Sequence, residues 1–258
     1  MGSDPYGRAI RDHYLHEREY PLIDRDGADA REHPIERFYF REVTGDAEGN
    51  AWAEDHLGPE GPLLDMGAGV GRHALYFQEY VETVAIEVSD HLVETMRDRG
   101  VADARRGDMF DLRSSFDRDR FRSAFARGTQ ATLAGSMAGL RTFLSDLAHV
   151  TTPDATAVFD GFDPAHERAP DLLGYRSDPA PGLAYRTYHF EYEGDVGPTL
   201  LFRLFGPDRV REATAGTPWR VADVHEGSVR NPHYEVALAK GHGDSEAPTD
   251  GERFGSEE

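Results

Sequence analysis

The stretch Leu63-Leu64-Asp65-Met66-Gly67-Ala68-Gly69-Val70-Gly71-Arg72 decides the fold. Two leucines after the Gly61-Pro62 break open a short buried strand, and the strand runs into glycines at alternate positions ahead of a helix. Glycine there lets the backbone take left-handed turns and come close to a ligand, and a helix start offers unpaired amides. The ligand could be a dinucleotide or a nucleoside carrying a sulfonium. A dinucleotide site uses G-x-G-x-x-G, in which the last glycine lets strand and helix close around a pyrophosphate. Arg72 follows Gly71 and breaks that pattern, and Asp65 would repel a pyrophosphate where it would suit an ammonium group.

Outward from this stretch, strand and helix alternate. A helix is predicted over 73–80, a strand over 83–88, and a helix from Ser89 to Gly100 with Ser89 and Asp90 as its N-terminal residues. Strands follow over 102–106 and 121–126. Leu140, Phe143, Leu144, Leu147 and Val150 recur at helical spacing, with Pro153 as the expected stop, and a β-branched strand is predicted over 156–162. This alternation predicts a mostly parallel sheet with helices on both faces. The pattern then changes. A Pro- and Gly-rich loop over 163–181 leads to a hairpin of 185–192 and 199–205, a helix over 207–214, and a closing antiparallel pair over 219–225 and 234–239. The expected organisation is a helical cap over 1–60 with helices at 6–19, 34–43 and 50–57, a domain over 61–240 with a hairpin lid at about 163–206, and a disordered acidic tail over 241–258.

The 258 residues carry a net charge of −20, from 48 acidic and 28 basic side chains, and Lys240 is the only lysine. A carboxylate shell nearly free of lysine resembles the proteins of salt-loving archaea. Such a surface repels nucleic acid, although at molar salt the Debye length of about 3 Å mutes that argument. There is no cysteine, which removes disulfides and thiolate chemistry. No apolar run reaches the roughly 20 residues of a membrane span, and residues 1–20 lack a secretory apolar segment, so a cytoplasmic location is expected. No metal is expected. His13 and His16 stand three apart near the N-terminus, His242 stands alone in the tail, and no His-x-x-x-His pair occurs.

The glycine stretch and two acids after it resemble the class I S-adenosylmethionine-dependent methyltransferases, over roughly residues 50–240. Glu87 ends the next strand, 22 residues after Asp65, and Gly107-Asp108-Met109 ends the third. The resemblance implies a seven-stranded Rossmann-like sheet with an antiparallel closing strand and S-adenosyl-L-methionine as cofactor. It implies cofactor contacts at Asp65, Gly67, Ala68, Gly69, Gly71, Glu87, Val88, Asp108 and Met109, with Asp65 at the methionine ammonium, Glu87 at the ribose hydroxyls and Asp108 at the adenine amine. The loop Ala126-Arg127-Gly128-Thr129-Gln130 matches the family's substrate-facing fourth motif in place but carries no catalytic signature.

Methyl transfer relies on alignment and exclusion of water, and a protonated acceptor adds the need for a base. His73, His189 and Glu226 are candidate bases, against packing or solvated roles for each. Arg127, Thr129, Tyr188 and Arg203 are candidate acceptor contacts, against a surface ion pair for Arg203 and an aromatic core for Tyr188. Asn231-Pro232-His233-Tyr234 is similar to the N-P-P-Y signature of amino-methylases but falls in the closing hairpin, where it is read as a turn. A small-molecule acceptor is the leading reading. An RNA or protein methyltransferase and a non-catalytic S-adenosylmethionine-binding protein remain as alternatives, and an NAD-dependent oxidoreductase is more distant.

Overall fold

The computed structural model describes residues 3–43, 48–58, 60–227 and 230–241. Helix α1 (Pro5–Tyr14) begins at Asp4, whose carboxylate accepts the Gly7 amide, and Pro5 occupies the first turn, where no amide is needed. Strands β1 (Ile23–Asp26) and β2 (Asp29–Glu32) form a hairpin. A π-helical turn (Glu36–Phe40) and helix α2 (Glu48–Leu57) follow. The repeating part comprises β3 (Leu63–Met66), α3 (Arg72–Phe77), β4 (Thr83–Glu87), α4 (Asp90–Asp98), β5 (Ala104–Arg106), α5 (Leu112–Ser115), β6 (Phe121–Ala126), α6 (Met137–Val150) and β7 (Thr151–Phe162). Then come β8 (Tyr175–Ser177), β9 (Leu183–Tyr192), β10 (Asp195–Val196), β11 (Leu200–Phe205), α7 (Pro207–Thr214), β12 (Trp219–Glu226) and β13 (His233–Lys240).

The main sheet has the order β12-β13-β7-β6-β3-β4-β5. Strands β3 to β7 are mutually parallel, and β13 runs antiparallel to both its neighbours. The chain starts in the middle at β3, builds outward to β5, then returns to β6. The carboxyl ends of β3 and β6 thus diverge at a switch point, the place where open α/β sheets bind ligands.

Period-two alternation fixes which face each strand residue buries. Leu64, Met66, Val84 and Ile86 join α6 in one core cluster, while Leu63 lies with Phe77 and Phe125, and Ala85 lies with Val93 and Met96 of α4. The predicted apolar face of α6 is the buried one: Leu140, Phe143, Leu144, Leu147 and Val150 are all within 1% exposure. Two polar groups carried into this core find partners. Trp219 Nε1 donates to Leu144 O at 2.9 Å, and Tyr234 Oη donates to Phe205 O at 2.6 Å.

Three features differ from the expectation. Pro153 does not stop α6; the helix ends at Val150, and Pro153 lies inside β7 where the pairing with β6 shifts register between Phe121 and Ser123, a bulge that tolerates a missing donor. The N-terminal segment is not helical throughout, since β1 and β2 lie between α1 and the π-helical turn. The inserted segment supplies four strands, β8 to β11, instead of two. With β1 and β2 they form a second, six-stranded sheet around β9, which pairs with β1, β8, β10 and β11. The expected acidic tail and His242 lie outside the described residues.

Candidate functional site

The turn between β3 and α3 uses three left-handed glycines, Gly67 (φ 64°), Gly69 (φ 59°) and Gly71 (φ 74°), a region that costs any other residue strain. A Cβ on Gly67 would meet the Gln130 side chain at 2.8 Å, and one on Gly71 would meet Val101 at 2.4 Å. The turn is tied down by Ala68 N donating to Ile86 O at 3.1 Å.

Asp65, at the end of β3, is buried, and its Oδ2 has no hydrogen-bond partner. Burial pushes its carboxyl up to about 7, the Glu87 charge adds to the rise, and the Ala74 amide opposes it. Glu87, at the end of β4, is also buried. It accepts Gly69 N at 3.1 Å, Val88 N at 2.7 Å and Ser89 N at 3.3 Å, so it binds the glycine turn to the next loop. Burial raises its carboxyl from the ordinary value even against those three amides. Each carboxylate oxygen has two lone pairs, so acceptor capacity remains after these bonds. Asp108 is exposed beyond β5, where its Oδ1 accepts Phe110 N at 2.8 Å in a turn, and Met109 beside it is buried.

On the β6 side, Thr129 is left-handed at φ 61°. That loop is held by Asp160 of β7, which accepts Gly128 N at 3.1 Å, Thr129 N at 2.6 Å and His233 Nε2 at 2.8 Å. Arg127 donates to Asn50 Oδ1 at 2.9 Å and pairs with buried Glu235 at 3.0 Å. Gln130 reaches back over Gly67, bridging the two halves of the switch point. Asp160 carried no sequence signal as a site residue, because its alignment with the β6 loop and His233 depends on the register of β7 against β6 and β13.

The remaining candidates divide by position. Tyr188 on β9 is buried, stacks on Phe202 at 5.0 Å, and has its hydroxyl pushed up to about 12 by burial. It lies in the same apolar cluster as Val70 of the glycine turn. His73 faces Phe125 at 5.0 Å, and burial with the Arg127 and Arg72 charges pushes it down to about 3, which keeps it neutral and a weak base. His189 bonds Glu191 at 3.0 Å, and Glu191 also pairs with Arg25, so its ring belongs to an ion network between β9 and β1. Arg203 is buried, with Asp178 at 2.8 Å and the Tyr185 ring at 3.9 Å, so its charge is already neutralised inside the protein. Glu226 is exposed at the end of β12. Among the described residues no cluster of three His, Asp or Glu has metal-holding geometry, and no helix is long and apolar enough to cross a membrane.

The buried partnerless Oδ2 of Asp65, the cradle that a Cβ on Gly67 would fill and the acid at Glu87 fit a ligand with an ammonium group and a diol. Comparison with known proteins agrees on the fold. No protein-family profile matches the chain, and no curated protein matches it. Among solved structures it is similar to an S-adenosylmethionine-dependent methyltransferase from Bacteroides fragilis in complex with S-adenosyl-L-homocysteine. That match has a TM-score of 0.74 and 25% identity, covering 92% of this chain and 94% of the other. It also resembles the Burkholderia thailandensis 1,6-didemethyltoxoflavin-N1-methyltransferase, with a TM-score of 0.53, 17% identity, and 92% and 90% coverage. A third similar structure is the CcbJ methyltransferase from Streptomyces caelestis, with a TM-score of 0.56, 15% identity, and 72% and 86% coverage. The chain has the Rossmann-like methyltransferase fold. Structural neighbours that are S-adenosylmethionine-dependent methyltransferases include the Bacteroides fragilis protein and one from Clostridium acetobutylicum.

Proposed function

We propose that this protein is an S-adenosylmethionine-dependent methyltransferase acting on a small molecule. The observation that carries the reading is Asp65 Oδ2, a buried carboxylate oxygen without a partner at the carboxyl end of β3, on the fold that the neighbours use for this reaction. A buried, unpaired carboxylate is costly unless a cation completes it. In this reading Asp65 holds the methionine ammonium, and Gly67, Ala68, Gly69 and Gly71 bring backbone against the amino-acid moiety. Glu87 accepts from the ribose hydroxyls with Val88 beside it, and Asp108 and Met109 serve the adenine amine and ring face. S-adenosylmethionine supplies a methyl group to an in-line displacement at the sulfonium, so the protein's work is to align, to exclude water and to take up a proton.

The acceptor side falls to the β6 loop with Arg127 and Thr129 and to the second sheet with Tyr188, which acts as a lid over the switch point. A neighbour whose acceptor is 1,6-didemethyltoxoflavin supports a small acceptor, and the net charge of −20 disfavours a nucleic acid. We read that charge, with a single lysine, as adaptation to concentrated salt, and the location as cytoplasmic. Calorimetry with S-adenosylhomocysteine and NAD in concentrated KCl tests the assignment. The former should bind and the latter should not, and the opposite result would overturn the reading.

A further inference from the structure

Three segments that are separate in sequence converge above the glycine turn. His33, 7% exposed just after β2, has Nδ1 at 3.0 and 3.1 Å from the two carboxylate oxygens of Asp24 in β1. Its Nε2 lies 3.2 Å from Tyr39 Oη in the π-helical turn, and Tyr39 Oη lies 2.5 Å from Tyr6 Oη in α1. Among the described residues Tyr6 Oη meets no other hydrogen-bond partner. The Tyr39 ring covers the turn, 3.4 Å from where a Cβ on Gly69 would stand. Glu87 is among the charges acting on both hydroxyls. One end of the chain is therefore at the cofactor-binding turn and the other is in the second sheet.

The polarity of this chain follows from donor chemistry. Asp24 can only accept, so Nδ1 of neutral His33 carries the hydrogen and Nε2 is an acceptor. Tyr39 then donates to Nε2 and receives the Tyr6 hydroxyl hydrogen, which leaves Tyr6 oxygen with lone pairs and no donor. Burial raises both phenols above their ordinary range, so each is neutral before a shift of hydrogens along the chain and neutral again after it, with the imidazole as the terminus that the hydrogen bonds lead to.

We propose that Tyr6, Tyr39, His33 and Asp24 form the proton-accepting arm of the methyl-transfer site, with Tyr6 Oη touching the N–H or O–H of the acceptor. This rests on the methyltransferase reading. As the acceptor's electron pair forms the bond to the methyl carbon and the carbon–sulfur pair returns to sulfur, the acceptor's proton passes to Tyr6 Oη. The Tyr6 proton moves to Tyr39 Oη, and the Tyr39 proton moves to His33 Nε2. The positive charge lost at sulfur reappears on an imidazolium that Asp24 neutralises, so the net charge of the buried site is unchanged. Tyr6 is the catalytic residue of the arm, and Tyr39, His33 and Asp24 are positioning residues. Placement of Tyr39 by a π-helical turn fits a general tendency of such turns to occur at functional sites.

The groups facing His33 are Asp24 from β1, Tyr39 from the π-helical turn and Tyr6 from α1, with the Phe38 and Phe190 rings edge-on. Arg186 and Tyr188 of β9 act on Asp24, and Glu87 acts on the hydroxyls from the end of β4. Arg18, Glu32, Glu36, Arg37 and Arg41 line a surface groove of about 480 Å³ that His33 also borders.

Two measurements test the arm. Nitrogen NMR of the His33 ring, assigned through its contacts to Phe38 and Phe190, should show the Nδ1–H tautomer at pH 7.5, with and without S-adenosylhomocysteine. An Nε2–H tautomer or an imidazolium there would overturn the proposal, and this measurement needs no variant. Transfer of labelled methyl from S-adenosylmethionine into a metabolite extract should fall about 100-fold in His33→Gln and in Tyr6→Phe. In His33→Gln the affinity for S-adenosylhomocysteine should stay at the wild-type value, so that the loss falls on transfer and not on cofactor binding. A variant that keeps the wild-type rate, or a His33→Gln protein that loses S-adenosylhomocysteine binding, refutes the arm. Wild-type calorimetry with S-adenosylhomocysteine separates the two ideas: absence of binding removes the methyltransferase reading, whereas binding with an Nε2–H tautomer removes the arm alone.

Discussion

Asp65 makes the affinity for S-adenosylhomocysteine depend on pH in a way that can be worked out. With its carboxyl at about 7 in the unliganded fold, Asp65 is half-protonated near neutrality. An ammonium beside Oδ2 returns it to or below its ordinary range of about 4. Binding therefore requires the ionised form, and the proton is released when the ligand enters. Affinity should be flat above about pH 8 and fall with a slope approaching one log unit per pH unit below 7, about 100-fold by pH 5. Stability carries the opposite sign. A carboxyl raised in the folded state weakens the fold as pH rises from about 4 through 7, so Asp65→Asn should melt higher than wild type at pH 8 without ligand while binding far more weakly. Calorimetry from pH 5 to 9 in buffers of different ionisation enthalpy counts the released proton directly. Glu87, raised in the same direction, is controlled by Glu87→Gln. An affinity that does not change between pH 5 and 8, or an Asp65→Asn protein with the wild-type pH dependence, would refute the assignment of Asp65 to the ammonium.

Gly67→Ala imposes φ 64° on a residue with a Cβ and drives it into Gln130, so S-adenosylhomocysteine should bind at least tenfold more weakly while circular dichroism stays native. Lys240 Nζ donates to Ala148 O and Thr151 O at 2.6 Å each, closing the end of α6 against β7; Lys240→Met should cost about 2 kcal/mol, measured by urea unfolding. Asp160→Ala releases the amides of Gly128 and Thr129 as well as His233, and should lower stability by about 2–3 kcal/mol, with increased amide exchange at Gly128 and Thr129. With a net charge of −20, raising KCl from 0.1 to 2 M should raise the melting temperature, and a fall would argue against salt adaptation.

The main sheet was legible because each of its signals is local. The apolar run before Gly67, the helical spacing from Leu140 to Val150 and the Ser89 cap each need only a few neighbouring residues, and each is found where it was expected. The second sheet was read in part. The β1–β2 hairpin shows no apolar alternation, and its strands are half-buried or exposed throughout. Its cue was Asp26-Gly27, where Gly27 at φ 58° opens a two-residue turn. That cue means little until the edge of β9 is present to pair with β1. Arg203 and His189 looked available as site residues because sequence shows residue type and spacing but not the Asp178 that pairs with Arg203 or the Glu191 that hydrogen-bonds His189.

What the sequence determined by itself was the cradle: a strand, three glycines and two spaced acids set backbone geometry and charge sign, properties fixed within 25 residues of chain, and the proposed nucleoside site rests on them. What only the tertiary structure decided was which groups surround it. Asp24, His33, Tyr39 and Tyr6 become one hydrogen-bonded chain, and Asp160 gathers the β6 loop with His233, because strand register and helix docking place atoms within about 3 Å that lie tens of residues apart in sequence.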